Sequence, residues 1–216
     1  MLKLDLSRAH DPVAVEARLR RLEREREIHI HHLGMASRRI AADYPELAGW
    51  FCLRLRTGRE CSVEKTLTDA DIETIFPVIK IEERKVRGRL FHAYSKPVMP
   101  GYMLVRIVPS PGAFAGLSEV RDVVGIVGNL ATPHCVSDEI AKRFRWMETA
   151  NTIATEPSKV GFADKEAVRV VEGPFAGMIG TMTRAYDEGE IQARIMVASY
   201  GNILPVTLPL AFLKKM

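Results

Sequence analysis

The chain predicts an α+β protein: a ferredoxin-like βαββαβα sandwich followed by a small five-stranded β-barrel, with a helical extension in front. Three observations carry this. Strand and helix patterns alternate between residues 48 and 148, a polar stretch without period follows, and beyond it come only short alternating strands and glycine turns. A length of 216 residues suits one large domain or two small ones. The boundaries read as 1–47 for the extension, 48–148 for the sandwich, 149–161 for a linker and 162–216 for the barrel.

In the extension, Asp11-Pro12 offers an N-cap and a proline at the first helical position. Arg and Glu dominate from Val13 to about Ile40, with Val15, Leu19 and Leu22 at helical spacing until Arg26 and His29 break the stripe. One long, partly solvated helix is expected, stopping near Tyr44-Pro45. His29, His31 and His32 invite a metal reading, but no neighbouring carboxylate and cysteine set completes a site, so they are expected to be solvated.

The sandwich begins with a strand, Trp50 to Arg56, ended by the turn Thr57-Gly58. Arg59 to Ile72 follows as an amphipathic helix with Val63, Leu67 and Ala70 on one face. A second strand is expected over Phe76 to Val86, a hairpin tip at Gly88, and a returning strand over Lys96 to Val108. In that return, Pro97, Pro100 and Gly101 hold the chain extended and release it into the apolar run from Tyr102, where only Arg106 is charged. Such a run is a strand buried on both faces, central in its sheet. Met99 and Tyr102, at its lip, are either a docking surface or core packing. Pro109 to Leu117 forms a short irregular or helical connection, and Val123 to Gly128 another strand. Ser137-Asp138-Glu139 caps a last helix striped by Ile140, Phe144 and Met147.

Thr149 to Lys159 is polar and carries Pro157, as a linker would. The barrel strands follow: Val168 and Val170, then the turn Glu172 to Gly177, Ile179 to Tyr186, a hairpin at Asp187-Glu188-Gly189, and the alternation Ile191, Ala193, Ile195, Val197. Gly201-Asn202 turns into a last strand with Leu204, Val206 and Leu208.

Composition excludes several classes. Hydrophobic residues at 47% and charged at 27% describe an ordinary globular chain, and no apolar run approaches a membrane span. A cytoplasmic protein is expected. Three cysteines, Cys52, Cys61 and Cys135, show no CxxC spacing, so neither a disulfide framework nor a zinc site is expected. No phosphate-binding glycine loop, His-Glu-x-x-His or GxSxG occurs. Cys135 beside His134 lacks an orienting third group. No enzyme, metal or cofactor is therefore expected. The net charge of +4 permits a nucleic-acid partner, and the basic residues are local. Arg84, Lys85, Arg87 and Arg89 surround the hairpin tip, while Arg54, Arg56 and Arg59 end the first strand and begin its helix. Both sets are candidates to face phosphates, which give affinity without reading sequence.

The stretch Trp50-Phe51 with Gly58, the run Met99-Pro100-Gly101-Tyr102-Met103-Leu104-Val105, and Val124-Gly125-Ile126-Val127-Gly128 followed by Pro133 and Val136-Ser137-Asp138 resemble the N-terminal (NGN) domain of NusG-type transcription elongation factors. Val168 to Gly180 resembles the SH3-like KOW barrel of the same family, and Pro205 to Leu208 followed by Phe212-Leu213-Lys214 is similar to its closing strand. The resemblance implies a monomeric, non-enzymatic factor modulating pausing, termination or antitermination. Its first domain would ride on the clamp of a bacterial RNA polymerase and touch non-template DNA. Its KOW barrel would recruit termination factor Rho or ribosomal protein S10. Carried over by position, Met99 and Tyr102 fall on the family's clamp-facing pair, Leu104 is a third candidate, and Phe175 falls on the exposed turn aromatic of the barrel. Met99 replaces an aromatic, and the extension is not part of the basic pattern, which leaves room for a specialised paralogue at particular operons. The alternative is a ribosomal-type KOW protein that binds RNA without polymerase. It would need a basic barrel, whereas residues 162–216 hold six basic and six acidic residues.

Overall fold

The computed structural model describes residues 12–216 except 82–83, 87–88, 92–93, 129–131, 151–159, 188–190 and 200. Its first sheet is built from β1 (Gly49–Leu55), β2 (Glu73–Ile75), β7 (Tyr102–Ile107) and β8 (Val123–Ile126), in the order β2-β7-β1-β8 and antiparallel throughout, with the short β9 (Cys135–Val136) also on β1. That is the strand order of a ferredoxin-like sandwich. As its apolar run predicts, β7 is an interior strand, buried on both faces.

Alternation along β7 divides the core in two. Met103, Val105 and Ile107 point to one face and pack with Phe51 and Leu53 under α3 (Glu60–Asp69) and α4 (Pro111–Glu119). Tyr102 and Leu104 point to the other, with Trp50, Cys52 and the Phe144–Met147 stripe of α5 (Asp138–Ala150). On that face α5 is held by Arg145, which pairs with Glu73 at 2.6 Å and lies over the Trp50 ring. Ser137 caps α5 as expected, accepting from the Ile140 N–H at 3.4 Å.

Three expected elements are divided. The long N-terminal helix is two helices, α1 (Pro12–Gly34) and α2 (Arg38–Asp43), because the chain turns at Met35–Ser37 to bury Ala36. Only the end of α1 docks. Gly112 and Gly116 of α4 admit it so closely that a Cβ at Gly116 would lie 2.5 Å from the Leu33 backbone. There His29 Nδ1 meets the Glu119 carboxylate at 2.8 Å and His32 is half-buried, so of the three histidines expected to be solvated only His31 is exposed. The Val15, Leu19 and Leu22 stripe stays exposed. The strand expected over Phe76 to Val86 is β3 (Val78–Ile81) and β4 (Arg84–Val86), with Glu73–Ile75 before it pairing with β7 instead. Its return is likewise split: β5 (Arg89–Phe91) pairs with β4, β6 (Tyr94–Pro97) pairs with β3, and Val98 to Gly101 form a turn before β7. The expected tip at Gly88 lies outside the described residues.

The C-terminal sheet is five-stranded and antiparallel, in the order β13-β12-β11-β10-β14: β10 (Ala167–Val170), β11 (Ile179–Met182), β12 (Gln192–Ser199), β13 (Asn202–Pro209) and, after a 3-10 turn, β14 (Leu213–Lys215). This is the expected KOW-type barrel. Ala193, Ile195 and Val197 alternate inward as predicted, whereas Ile191 precedes the strand and is exposed. α5 runs to Ala150, two residues into the segment expected to be linker, and 151–159 lie outside the described residues.

Candidate functional site

The site is the turn that launches β7. Gly101 there has φ +81, a backbone conformation that only glycine adopts without strain. Its N–H donates to the carboxylate of Glu60 at 2.9 Å, and its carbonyl accepts from the Leu55 N–H at 2.8 Å. Glu60 opens α3 and is buried, one of two buried polar residues among those described. Its carboxylate therefore fixes the loop that presents Met99 and Tyr102, a role sequence reading missed. The available signal was an acid in the first helical turn straight after Thr57-Gly58, a place where a carboxylate normally serves only the helix dipole.

Met99 and Tyr102 lie on the same face of the sheet as Leu104, as predicted, and opposite Met103 and Val105. The docking reading expects both to be partly exposed, and in the structure they are packed instead. Met99 is 2% exposed and Tyr102 4%, because the barrel sits on them. Phe175, expected as an exposed turn aromatic, is fully buried for the same reason. It meets the Tyr102 ring edge-on, with centroids 5.0 Å apart. Such a pair adds about 0.5–1.5 kcal/mol beyond the area it buries. Gly173, φ +79, precedes this turn, and its approach is close enough that a Cβ would meet the Met99 sulfur at 3.4 Å.

Polar ties ring the aromatic contact. The Tyr102 hydroxyl donates to the Pro205 carbonyl at 3.2 Å, and His134 Nε2 donates to the Pro174 carbonyl at 2.9 Å. Gln192 donates from its amide to the Val98 carbonyl at 3.2 Å, and Arg143 pairs with Glu172 at 3.3 Å. The two sheets thus share one continuous apolar cluster. Burial pushes the Tyr102 phenol up to about 12, so it stays a neutral donor at the seam.

The basic candidates fall in two sets, one on β1 and the loop after it, the other on the paired strands β4 and β5. Arg54 is half-buried at the rim of the seam, Arg56 is exposed and pairs with Asp122 at 3.3 Å, and Arg59 is exposed before α3. Arg84 and Lys85 belong to β4 and Arg89 to β5, while Arg87 lies outside the described residues. Among the described residues no group of three His, Cys, Asp or Glu could hold a metal. His134 is committed to the barrel, and burial raises the Cys135 thiol, the opposite of what a nucleophile requires. No described helix is long and apolar enough to cross a membrane.

Comparison with known proteins agrees with the architecture. The family described as transcription termination factor nusG matches residues 48–145. The transcription termination/antitermination protein NusG of Treponema pallidum is 31% identical over 179 residues, covering 74% of this chain and 95% of the relative. That of Halalkalibacterium halodurans is 29% identical over 168 residues, 75% of this chain and 90% of the relative. A solved structure, "Domain interaction in Thermotoga maritima NusG", is 21% identical with a TM-score of 0.37, covering 78% of this chain and 97% of that one. With a relative above 30% identity matched over nearly its whole length, with the ferredoxin-like strand order and with the barrel behind it, the chain belongs to the NusG family of transcription termination and antitermination proteins.

Proposed function

We propose that this factor docks on the clamp of a bacterial RNA polymerase, in the cytoplasm and without catalysis of its own, through Met99, Tyr102 and Leu104. The barrel offers the surface around Phe175 to a second partner, Rho or ribosomal protein S10. The working units are 48–148 and 162–216, joined by 149–161 and preceded by the 1–47 extension. Arg54, Arg56, Arg59 and the Arg84, Lys85, Arg87, Arg89 hairpin lie beside the non-template DNA. One observation carries the reading: the two aromatic residues nominated for different partners, Tyr102 and Phe175, pack against each other at 5.0 Å. Each half occupies the other's docking surface, so the factor is closed, and polymerase engagement requires the barrel to leave. The ribosomal-type alternative is disfavoured by the neutral barrel, six basic against six acidic residues.

The test is affinity for purified core RNA polymerase. Phe175→Asp places a charge in the aromatic contact and opens the factor, so binding should tighten by about tenfold or more as the competent state is populated. Adding Tyr102→Ala to that opened variant should then weaken binding by about 2 kcal/mol or more, the scale of an interface hot spot. Equal polymerase affinity with and without the tyrosine would move the docking surface elsewhere.

A further inference from the structure

The barrel turns one face inward and leaves the other to solvent. Buried and exposed positions alternate along β10 to β13, and no exposed residue of these four strands is acidic. Strand pairing sets the exposed residues in rows across the sheet. Lys214 stands opposite Arg169, Arg169 opposite Ile179, and Ala198 opposite Ile203. Ile179 and Ala198 join the two ends into one row, each a single step from the Gly180–Val197 pair. In the neighbouring row Met196 stands between Thr181 and Pro205. Ile203 is 68% exposed, Ile179 46% and Met196 36%, all with the barrel seated. The face is therefore apolar along most of its length and cationic at one end. Like charges directly opposite each other cost stability. Yet neither Arg169 nor Lys214 has a carboxylate partner among the described residues, whereas Lys215 next to them pairs with Glu166 at 3.2 Å.

We infer that this outer face docks an acidic, apolar segment of a partner protein, with its apolar side chains on Ile179, Met196 and Ile203 and a carboxylate against Arg169 and Lys214. A contiguous apolar patch facing solvent marks an interaction surface, and the charges select the occupant. A phosphate backbone would meet the two cations but leave the isoleucines bare. A second copy of this face brings the same cations and no carboxylate. A guanidinium beside an ammonium, with no acid near, is the arrangement that a carboxylate completes. Because the face is open while the barrel is seated, this binding depends neither on Phe175 nor on the docking role proposed for Tyr102.

The probe is a displayed library of random peptides, about 16 residues long so that they span a row of about 19 Å whether extended or helical, selected on the full-length chain. Enriched peptides should carry an excess of Asp and Glu beside apolar residues, and their synthetic forms should bind saturably by fluorescence anisotropy. Ile203→Ser and Arg169→Glu should each weaken that binding at least about tenfold, with Met196→Ser as a second apolar probe. All three positions are exposed, so thermal unfolding should not change. Selection on the Arg169→Glu, Lys214→Glu double variant should enrich basic peptides instead. Phe175→Asp should bind the original peptides as well as the parent protein does. No enrichment, enrichment without an acidic bias, or full binding by Ile203→Ser and Met196→Ser overturns the site, as does loss of binding in Phe175→Asp. A dimer in sedimentation that Ile203→Ser abolishes would give the face to a second copy. Oligonucleotide binding lost in Arg169→Glu but kept in Ile203→Ser would give it to a nucleic acid, and either result also overturns the proposal.

Discussion

The two faces of β7 carry equally apolar residues and are covered in opposite ways. Met103, Val105 and Ile107 lie under α3 and α4, which are continuous with the sheet, with the end of α1 packed behind α4. Tyr102 and Leu104 lie under α5 and under a barrel that arrives from some sixty residues further along the chain. One face is closed permanently by its own helices, and the other by a neighbour joined through hydrogen bonds, one ion pair and an aromatic edge. Burial alone does not distinguish them, since both faces are almost inaccessible. What distinguishes them is whether the cover can leave without unfolding the sheet.

The largest effect expected from this difference is on stability. Met103→Ala should cost about 2–5 kcal/mol, as buried methionine truncations do, and denaturant unfolding should show it whether or not the barrel is seated. The same measurement on Tyr102→Ala should show a loss that disappears in the Phe175→Asp background, because the partner ring has already gone. Equal losses in both backgrounds would make Tyr102 a core residue of the first sheet.

Glu60 should give the next largest effect. Glu60→Ala leaves the Gly101 N–H buried without an acceptor, a loss of about 1–3 kcal/mol, and frees the turn that carries Met99. Chemical denaturation reads the first consequence and polymerase affinity of the opened protein the second. A variant of unchanged stability would mean that water replaces the carboxylate.

The smallest effect is a pH dependence. Tyr102 ionises near 10 when exposed and near 12 in the closed protein. A raised folded value means the stabilisation is complete below pH 10 and falls away between pH 10 and 12. Closure, followed by hydrogen exchange or by a distance across the seam, should weaken over that window, and Tyr102→Phe should remove this component of the change. A Tyr102→Phe protein with the same alkaline profile would assign the opening to other groups.

Much of the fold could be read from periodicity. The alternation of β7, the Ser137 cap and the inward Ala193, Ile195, Val197 series all follow from single-strand or single-helix patterns, and all stand in the structure. The misses share a physical cause. An apolar lip at Met99 and Tyr102 shows that a surface avoids water but not what covers it, and the barrel that does so lies across a polar stretch without pattern. The exposure expected for Phe175 failed for the same reason. Glu60 escaped because a buried carboxylate at a helix start has the sequence appearance of an ordinary dipole partner. The broken N-terminal helix was signalled by Gly34, a common residue at helix ends, but Arg38 and Arg39 beyond it continued the arginine-rich composition.

The docked end of α1 has a geometric consequence. From Pro12 to Ile28 the helix extends about 25 Å at 1.5 Å per residue, while its last turns are seated against Gly112 and Gly116. It is a pointer fixed through α4 to the first domain, with exposed positions such as Val15 along its length. A spin label there, paired with one at exposed Val171 on the barrel, makes the molecule its own ruler. A single narrow distance would report the seated barrel, and a broad, longer distribution its release, with no third protein needed to see either.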